Sequence, residues 1–252
     1  MTEIKPVLAR VALCSAMFSG IGLSGLMLQG CSSSPTPNYY SLTPLFQGQN
    51  QNSNRQVRVI EVLPVGLSDR LNRIPLVLQN SQGAAQVLND DRWTSTMAAE
   101  LRDGLSAGLQ QKLGAFDRYN SGMTGGKAAY RIAADFSHFD FIQTATATAN
   151  SPKGKHSKTA NQVLIAVAWT VKLDDPNRPL TDAKKVKALT QVQQLSCRMQ
   201  ISQTLPQATP KLVDVVETAR TSLAQVTQVI ASSVLAFEQR RAVNLPNVVC
   251  DQ

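Results

Sequence analysis

Two β-prone runs, Tyr130 to Thr148 and Gln162 to Leu173, flank a short polar stretch, and no other feature of the chain limits its fold as strongly. Both are long and β-prone in composition. The connection from Asn150 to Asn161 holds Pro152, Gly154 and the lysines Lys153, Lys155 and Lys158. The pair therefore reads as a long hairpin with a basic tip. Such a hairpin presents an apolar face that some other element must cover.

Two helical patterns can supply that cover. Trp93, Met97, Leu101, Leu105, Leu109 and Leu113 recur every four residues, with Asn89, Asp90 and Asp91 ahead of them as capping oxygens and Gly114 behind as a stop. Further on, Thr209 reads as a cap with Pro210 in the first turn. Leu212, Val216, Ala219, Leu223, Val226, Ile230 and Phe237 follow at helical spacing. That helix extends to about Arg241, where Arg240 and Arg241 suit the negative end of the dipole. Ahead of the first helix, Val57 to Pro64, Pro75 to Asn80 and Ala85 to Leu88 read as strands. After the hairpin, a turn at Asp174 to Pro179 and the lysines Lys184, Lys185 and Lys187 lead to a strand over Ala188 to Ser202. The pattern predicts an α/β (α+β) chain: a single compact domain over residues 55–252, with a mostly antiparallel or mixed sheet packed by two main helices and preceded by a flexible tether.

The N-terminus has a different character. Lys5 and Arg10 precede a stretch from Val11 to Gln29 without a charge, the n-region and h-region of an export signal. It ends in Leu28, Gln29, Gly30 and Cys31, an ending that resembles a bacterial lipobox. Gly30 is small enough for a peptidase to reach the bond, and the Cys31 thiol accepts a diacylglyceryl group. The stretch approaches the ~20 residues of a transmembrane anchor, but Gly and Ser interruptions and the Leu-x-Gly-Cys ending fit a cleaved signal better. The reading is a signal peptide over residues 1–30, then lipidated Cys31 and a tether over residues 31–54, rich in Ser, Pro, Asn and Gln. A coil of that length spans ~25 to 30 Å. Within it Tyr39, Tyr40, Ser41 and Leu42 form an apolar island that can pack as an edge strand. Ser32 follows the cysteine where an Asp favours inner-membrane retention, so the expected location is the periplasmic face of the outer membrane, held by lipid. No cofactor other than that covalent lipid is expected.

About 220 residues remain after the cut, enough for one domain and too few for two large ones. The formal charge of +8 falls by one with the signal, which carries Lys5, Arg10 and Glu3. A basic excess suits anionic headgroups or a solvated surface, and an exported chain without zinc-finger spacing or an aromatic RNA-binding motif is not expected to bind nucleic acid. Cys14 leaves with the signal and Cys31 takes lipid, so Cys197 and Cys250 form an even pair in an oxidising compartment. They read as a candidate disulfide, with two unpaired buried thiols as the alternative.

The residues offer little for catalysis. Of the two histidines, His156 lies in the basic connection and His138 in a predicted strand, and neither has partners at metal-ligand spacing. There is no Gly-x-Ser-x-Gly elbow, and Gly122 to Lys127 lacks the phosphate-loop spacing and reads as an ordinary loop. Asp135, His138 and Asp140 could share a proton, but strand alternation puts Asp135 and His138 on opposite faces. The expectation is a non-catalytic protein without a metal.

Several features taken in order resemble the PqiC/YmbA group of ABC-type transport auxiliary lipoproteins, which serve MCE-type intermembrane lipid transport systems. They are Cys31, then Tyr39-Tyr40-Ser41-Leu42, then Val57 to Val62 with Leu63-Pro64. Leu67, Asp69 and Arg70 follow, leading to Ile74-Pro75-Leu76-Val77. Asp91-Arg92-Trp93 then opens the leucine helix, and a long helix follows a Pro. Val65-Gly66 departs from the group's usual pattern, and the basic hairpin tip looks particular to this chain. The resemblance implies a compact α/β domain, assembled as a homo-oligomeric ring on the outer membrane. There it would receive the end of an MCE-type periplasmic tube protein whose inner-membrane partner is a permease or ABC transporter. The contacts expected on exposed loops are Asp69, Arg70 and Arg73 in the segment up to Pro75, and Lys153, Lys155 and Lys158 in the tip. For Asp69 and Arg70 the alternative is an ordinary turn pair. Two rival readings are a structural or assembly lipoprotein of another envelope or secretion machine, and an envelope hydrolase.

Overall fold

The computed structural model describes residues 36–44, 58–80, 82–119, 126–143, 161–176, 194–205 and 210–251. The export signal, Cys31, the tether apart from residues 36–44, the basic tip with Lys153, Lys155 and Lys158, the lysines at 184, 185 and 187, and Thr209 lie outside the described residues.

Three long antiparallel strands form the centre: β7 (Ala129–Gln143), β8 (Gln162–Asp174) and β9 (Gln194–Thr204). Their alternation is the cause of the fold. Val163, Ile165, Val167, Trp169 and Val171 of β8 are all buried, as are Leu195, Cys197, Met199 and Ile201 of β9, while the residues between them face outward. The far edge of β7 is shared by three parallel strands in succession: β2 (Arg58–Val62), β3 (Gly66–Leu67) and β4 (Pro75–Asn80). Beyond β4 come β5 (Ala85–Trp93), antiparallel, and β1 (Asn38–Tyr40), parallel to β5. A short β6 (Ala115–Asp117) pairs in parallel with β2, and β10 (Val248–Asp251) closes the other edge on β9. Cys197 and Cys250 stand opposite each other in that last pairing and are disulfide-bonded, with an S–S distance of 2.02 Å and a sequence separation of 53. Closing a loop of that length contributes ~4 kcal/mol on the chain-entropy model.

Helices α1 (Met97–Leu113) and α2 (Leu212–Glu238) share the core, where Leu101, Leu105, Leu109, Val215, Val226 and Ile230 are fully buried. They approach closely because α1 turns glycines toward α2. A Cβ on Gly104 would stand 2.7 Å from Leu223 Cδ2, and one on Gly108 would stand 2.7 Å from Thr227 Cγ2. Trp169 Nε1 donates to Ser233 Oγ at 3.0 Å, which satisfies a buried indole and fixes α2 on β8. No helix among the described residues is long and apolar enough to cross a membrane.

The mixed α+β architecture, with two helices among the described residues, agrees with the sequence pattern, and four boundaries differ. The compact unit starts at Pro37, ahead of residue 55, because β1 pairs with β5 and Leu42 is buried in the core. Asn89, Asp90 and Asp91 do not cap a helix, since β5 continues to Trp93. Asp91, Arg92 and Trp93 pair with Asn38, Tyr39 and Tyr40, and Trp93 N donates to Ile74 O at 2.8 Å. The first helix therefore starts four residues after Trp93, which is buried at the end of a strand near Phe141. Pro210 precedes the N-cap residue Lys211, whose backbone N–H donates to Asp214 Oδ2 at 2.7 Å. The C-terminal helix stops at Glu238 because Arg240 turns to φ 52°.

Candidate functional site

Two buried carboxylates organise the half of the domain that carries β1, β4 and β5. Glu100, on α1, is 3 % exposed and meets only uncharged donors. Leu42 N donates to Oε2 at 2.8 Å and Ser41 Oγ at 2.9 Å. On Oε1, Ser95 donates through N at 3.1 Å and through Oγ at 3.0 Å, joined by the Thr94 hydroxyl. Burial pushes its carboxyl upward, but the bonds from Thr94, Leu42, Ser41 and Ser95 outweigh that and hold it below the ordinary value of 4.5. Arg220 of α2 reaches the same segment, donating from Nε to Ser41 O at 2.7 Å. The start of the folded chain is thus pinned to both helices.

Asp140, on β7, is also 3 % exposed, and its partners are of another kind. Arg70 Nη1 donates to Oδ1 at 2.8 Å, with Nη2 at 3.5 Å from Oδ2. Gln79 Nε2 donates to Oδ1 at 3.0 Å, and His138 Nδ1 lies 2.6 Å from Oδ2. The side chains of Arg70 and His138 stay 45 % and 47 % exposed, so a buried anion holds a cation and an imidazole at the surface. The loop carrying Arg70 is fixed from both ends. Leu71 N and Asn72 N donate to Ser68 O, and Leu71 is buried. Asn72 Oδ1 accepts from Ala98 N at 3.1 Å, capping the first turn of α1 from outside its own sequence.

This geometry sets aside one alternative and corrects one sequence expectation. Asp69 and Arg70 share a turn but do not pair with each other: Arg70 pairs with Asp140, while Asp69 is exposed and has no ionic partner among the described residues. Asp135 and His138 are not on opposite faces. The β7–β8 register skips Ser137, with Phe136 opposite Val167 and His138 opposite Ala166, so the bulge turns His138 to the outer face that Asp135 occupies. The two still do not form one group, because Asp135 overlies the backbone of Gly66 while His138 bonds Asp140. Arg73 is exposed at the end of the same loop. The residue that sequence reasoning missed as an organiser is Asp140. Its signal was an acidic residue between Phe139 and Phe141 in a strand, a place that demands a partner.

Two further ionic clusters brace the opposite end of β2. Asp117 is buried and accepts from Arg102 Nη2 at 2.9 Å and Ser106 Oγ at 2.6 Å, tying β6 to α1. Arg118 bridges Glu61 and Asp174 at 2.8 and 2.5 Å, tying β2 to the end of β8. No group of three metal-ligating side chains occurs among the described residues.

Comparison with known proteins adds an independent line. A family model described as "ABC-type transport auxiliary lipoprotein component" matches residues 40–231. No curated protein matches the chain in sequence. Among solved structures, the crystal structure of an uncharacterized protein superposes with a TM-score of 0.51 at 17 % identity, covering 79 % of this chain and 99 % of that one, which shows a common fold. A protein from Xanthomonas campestris gives a TM-score of 0.47 at 14 % identity, covering 81 % of this chain and 98 % of its own. A putative lipoprotein from Caulobacter crescentus gives 0.25 at 15 % identity, covering 56 % and 84 %.

Proposed function

Because the chain belongs to the ABC-type transport auxiliary lipoprotein family, we propose that it is the outer-membrane docking element of an MCE-type intermembrane lipid transport system. Family membership makes it an accessory, membrane-anchored lipoprotein of the cell envelope that works with a transporter. The finer reading is ours. Cys31 carries the lipid, Ser32 favours delivery to the outer membrane, and the domain sits on the periplasmic face as a homo-oligomeric ring. It receives the end of an MCE-type tube protein whose inner-membrane partner is a permease or ABC transporter. It acts by docking and passage, without catalysis. Asp69, Arg70 and Arg73 on one side and Lys153, Lys155 and Lys158 in the hairpin tip supply contacts.

The observation that carries this reading is the extent of the family match, which runs from β1 into α2 and so takes in nearly the whole folded unit. Crosslinking in cells followed by pull-down tests it: recovery of an MCE protein and its permease is expected. Recovery of secretion-machine components without either would overturn it. For the anchor, Cys31→Ala is expected to give unlipidated protein that leaves the outer-membrane fraction while its domain still folds.

One observation favours a second reading. His138 bonded through Nδ1 to a buried Asp140 is the orientation a general base needs, and it is the basis on which an envelope hydrolase would be argued. Loss of envelope function in stable, correctly located His138→Ala protein would favour that reading over docking.

A further inference from the structure

The outer face of the wing formed by β1, β5 and β4 has the composition of an interface. Inward-facing Trp93, Leu88, Leu76 and Leu78 fix its phase, so the register sets Tyr39, Arg92 and Pro75 in one outward row and Val87 with Val77 in the next. Tyr39 is 58 % exposed, and Val87 and the adjoining Ile74 are 44 % exposed each. The other large exposed apolar side chains among the described residues, Phe116, Tyr119, Val213 and Val249, sit elsewhere, on β6 and just after it, at the start of α2, and on β10. Tyrosine, arginine and aliphatic side chains together are the mark of interface cores, and contiguous apolar surface rimmed by polar groups marks a contact site. Beside these rows stands Arg70, held from beneath by Asp140, to which Gln79 also donates.

We infer that this wing is a protein-docking surface whose partner presents a carboxylate to Arg70, flanked by apolar side chains that cover Val87 and Tyr39. This rests on the transport reading above and names the chemistry of the contact. The charge pattern selects the partner. Asp140 engages Arg70 closely only through Nη1, and the guanidinium offers five donors in a planar fork, so an incoming carboxylate finds positioned N–H groups on the exposed side. Preorganisation by a buried acid removes the ordering cost that weakens most surface arginines. A bilayer fits less well: exposed Asp69 and Asp90 alternate with Arg73 and Arg92 across the wing, a mixed pattern that does not attract a uniformly anionic surface but can match one specific partner.

The test uses the full-length lipoprotein in cells, with a photocrosslinking side chain at Val87 and, separately, at Val213, exposed at the start of α2. The expected result is an adduct from Val87 with a subunit of the transport system, mapped to a peptide containing Asp or Glu. Arg70→Glu should reduce it at least tenfold, and reversing the mapped acid to Lys should restore it. Since Arg70→Glu faces Asp140 and could disturb the loop, Ile74→Glu serves as a second variant that leaves Asp140 alone. It should reduce the adduct similarly with an unchanged melting temperature. An adduct with the transport subunit from Val213 alone, or a Val87 adduct indifferent to both variants, overturns the surface and leaves the transport reading standing. Absence of transport subunits from every adduct overturns both. Arg70-dependent binding of purified protein to phosphatidylglycerol vesicles, without a protein adduct at Val87, replaces the partner with the membrane and overturns the inference.

Discussion

Glu100 and Asp140 are equally buried, at 3 % exposed each, and they do different work. Glu100 is ringed by hydroxyls and backbone N–H groups that belong to two stretches of chain, residues 41–42 and residues 94–95, which it ties to α1. Every donor it touches is consumed in the contact. Asp140 is ringed by Arg70, His138 and Gln79, two of which remain nearly half exposed with donors unspent. A buried carboxylate satisfied by neutral inward donors is a fastening, whereas one satisfied by half-exposed side chains is a mount for something outside. The difference predicts which variants lose the fold and which lose only the partner.

The largest effect is expected at Glu100. Glu100→Ala leaves Leu42 N and Ser95 N without their acceptor in a closed environment, which costs about 3 kcal/mol, roughly 6 to 12 °C in melting temperature for a domain of this size. Calorimetry of purified protein reads it directly. A loss below about 1 kcal/mol would show that water replaces the carboxylate and that the fastening is weak.

The acid limb of stability should follow from the same residue. Hydrogen bonds hold the folded Glu100 carboxyl below its ordinary value. Its contribution is therefore fully present above the unfolded carboxylate range and is lost as pH falls through the lower, folded value. Unfolding midpoints measured from neutral pH downward should fall more steeply in the wild type than in Glu100→Gln, which has no proton to take up there. Parallel curves would place the acid sensitivity on other carboxylates.

The sequence made one of these two sites half visible and hid the other. The long strands were legible because Val163, Ile165, Val167 and Trp169 alternate with residues that face water, and α1 because Leu101, Leu105 and Leu109 repeat at helical spacing. Trp93 misled because four-residue spacing continued past the real helix start. Its pairing with Tyr40 across more than fifty residues has no local signal. The strands β3, β6 and β10 are two to four residues long, too short to show a period. The bulge at Ser137 lies in the backbone register and inverts every face assignment after it, which is why His138 was placed on the wrong side. Arg70 was legible as an exposed loop residue, but its anchor lies seventy positions away and only the fold brings them together.

At Arg70 the balance should reverse. Arg70→Ala leaves Asp140 with Gln79 on Oδ1 and His138 on Oδ2, so the carboxylate keeps two partners and the cost is about 1 kcal/mol. Recovery of transport subunits by crosslinking should nevertheless fall several-fold, a loss larger than Glu100→Gln produces in protein still folded at the assay temperature. If stability and recovery fall in proportion at both sites, the distinction between fastening and mount fails, and Asp140 becomes a second structural acid.

The smallest effect is expected at His138, and it separates docking from chemistry. The imidazole is half exposed and gives Asp140 a single bond, at an oxygen where Arg70 Nη2 waits at 3.5 Å. In His138→Gln the guanidinium can close on Oδ2 and make the pair bidentate, so the melting point should move by no more than the equivalent of about 0.5 kcal/mol. Complementation of an envelope-permeability defect should be unchanged in the same variant, because Arg70 stays mounted and a docking surface asks nothing of an oriented imidazole. A general base cannot be replaced by an amide. Full stability with abolished complementation would therefore assign His138 a proton-transfer role and make the Asp140 mount part of a catalytic site.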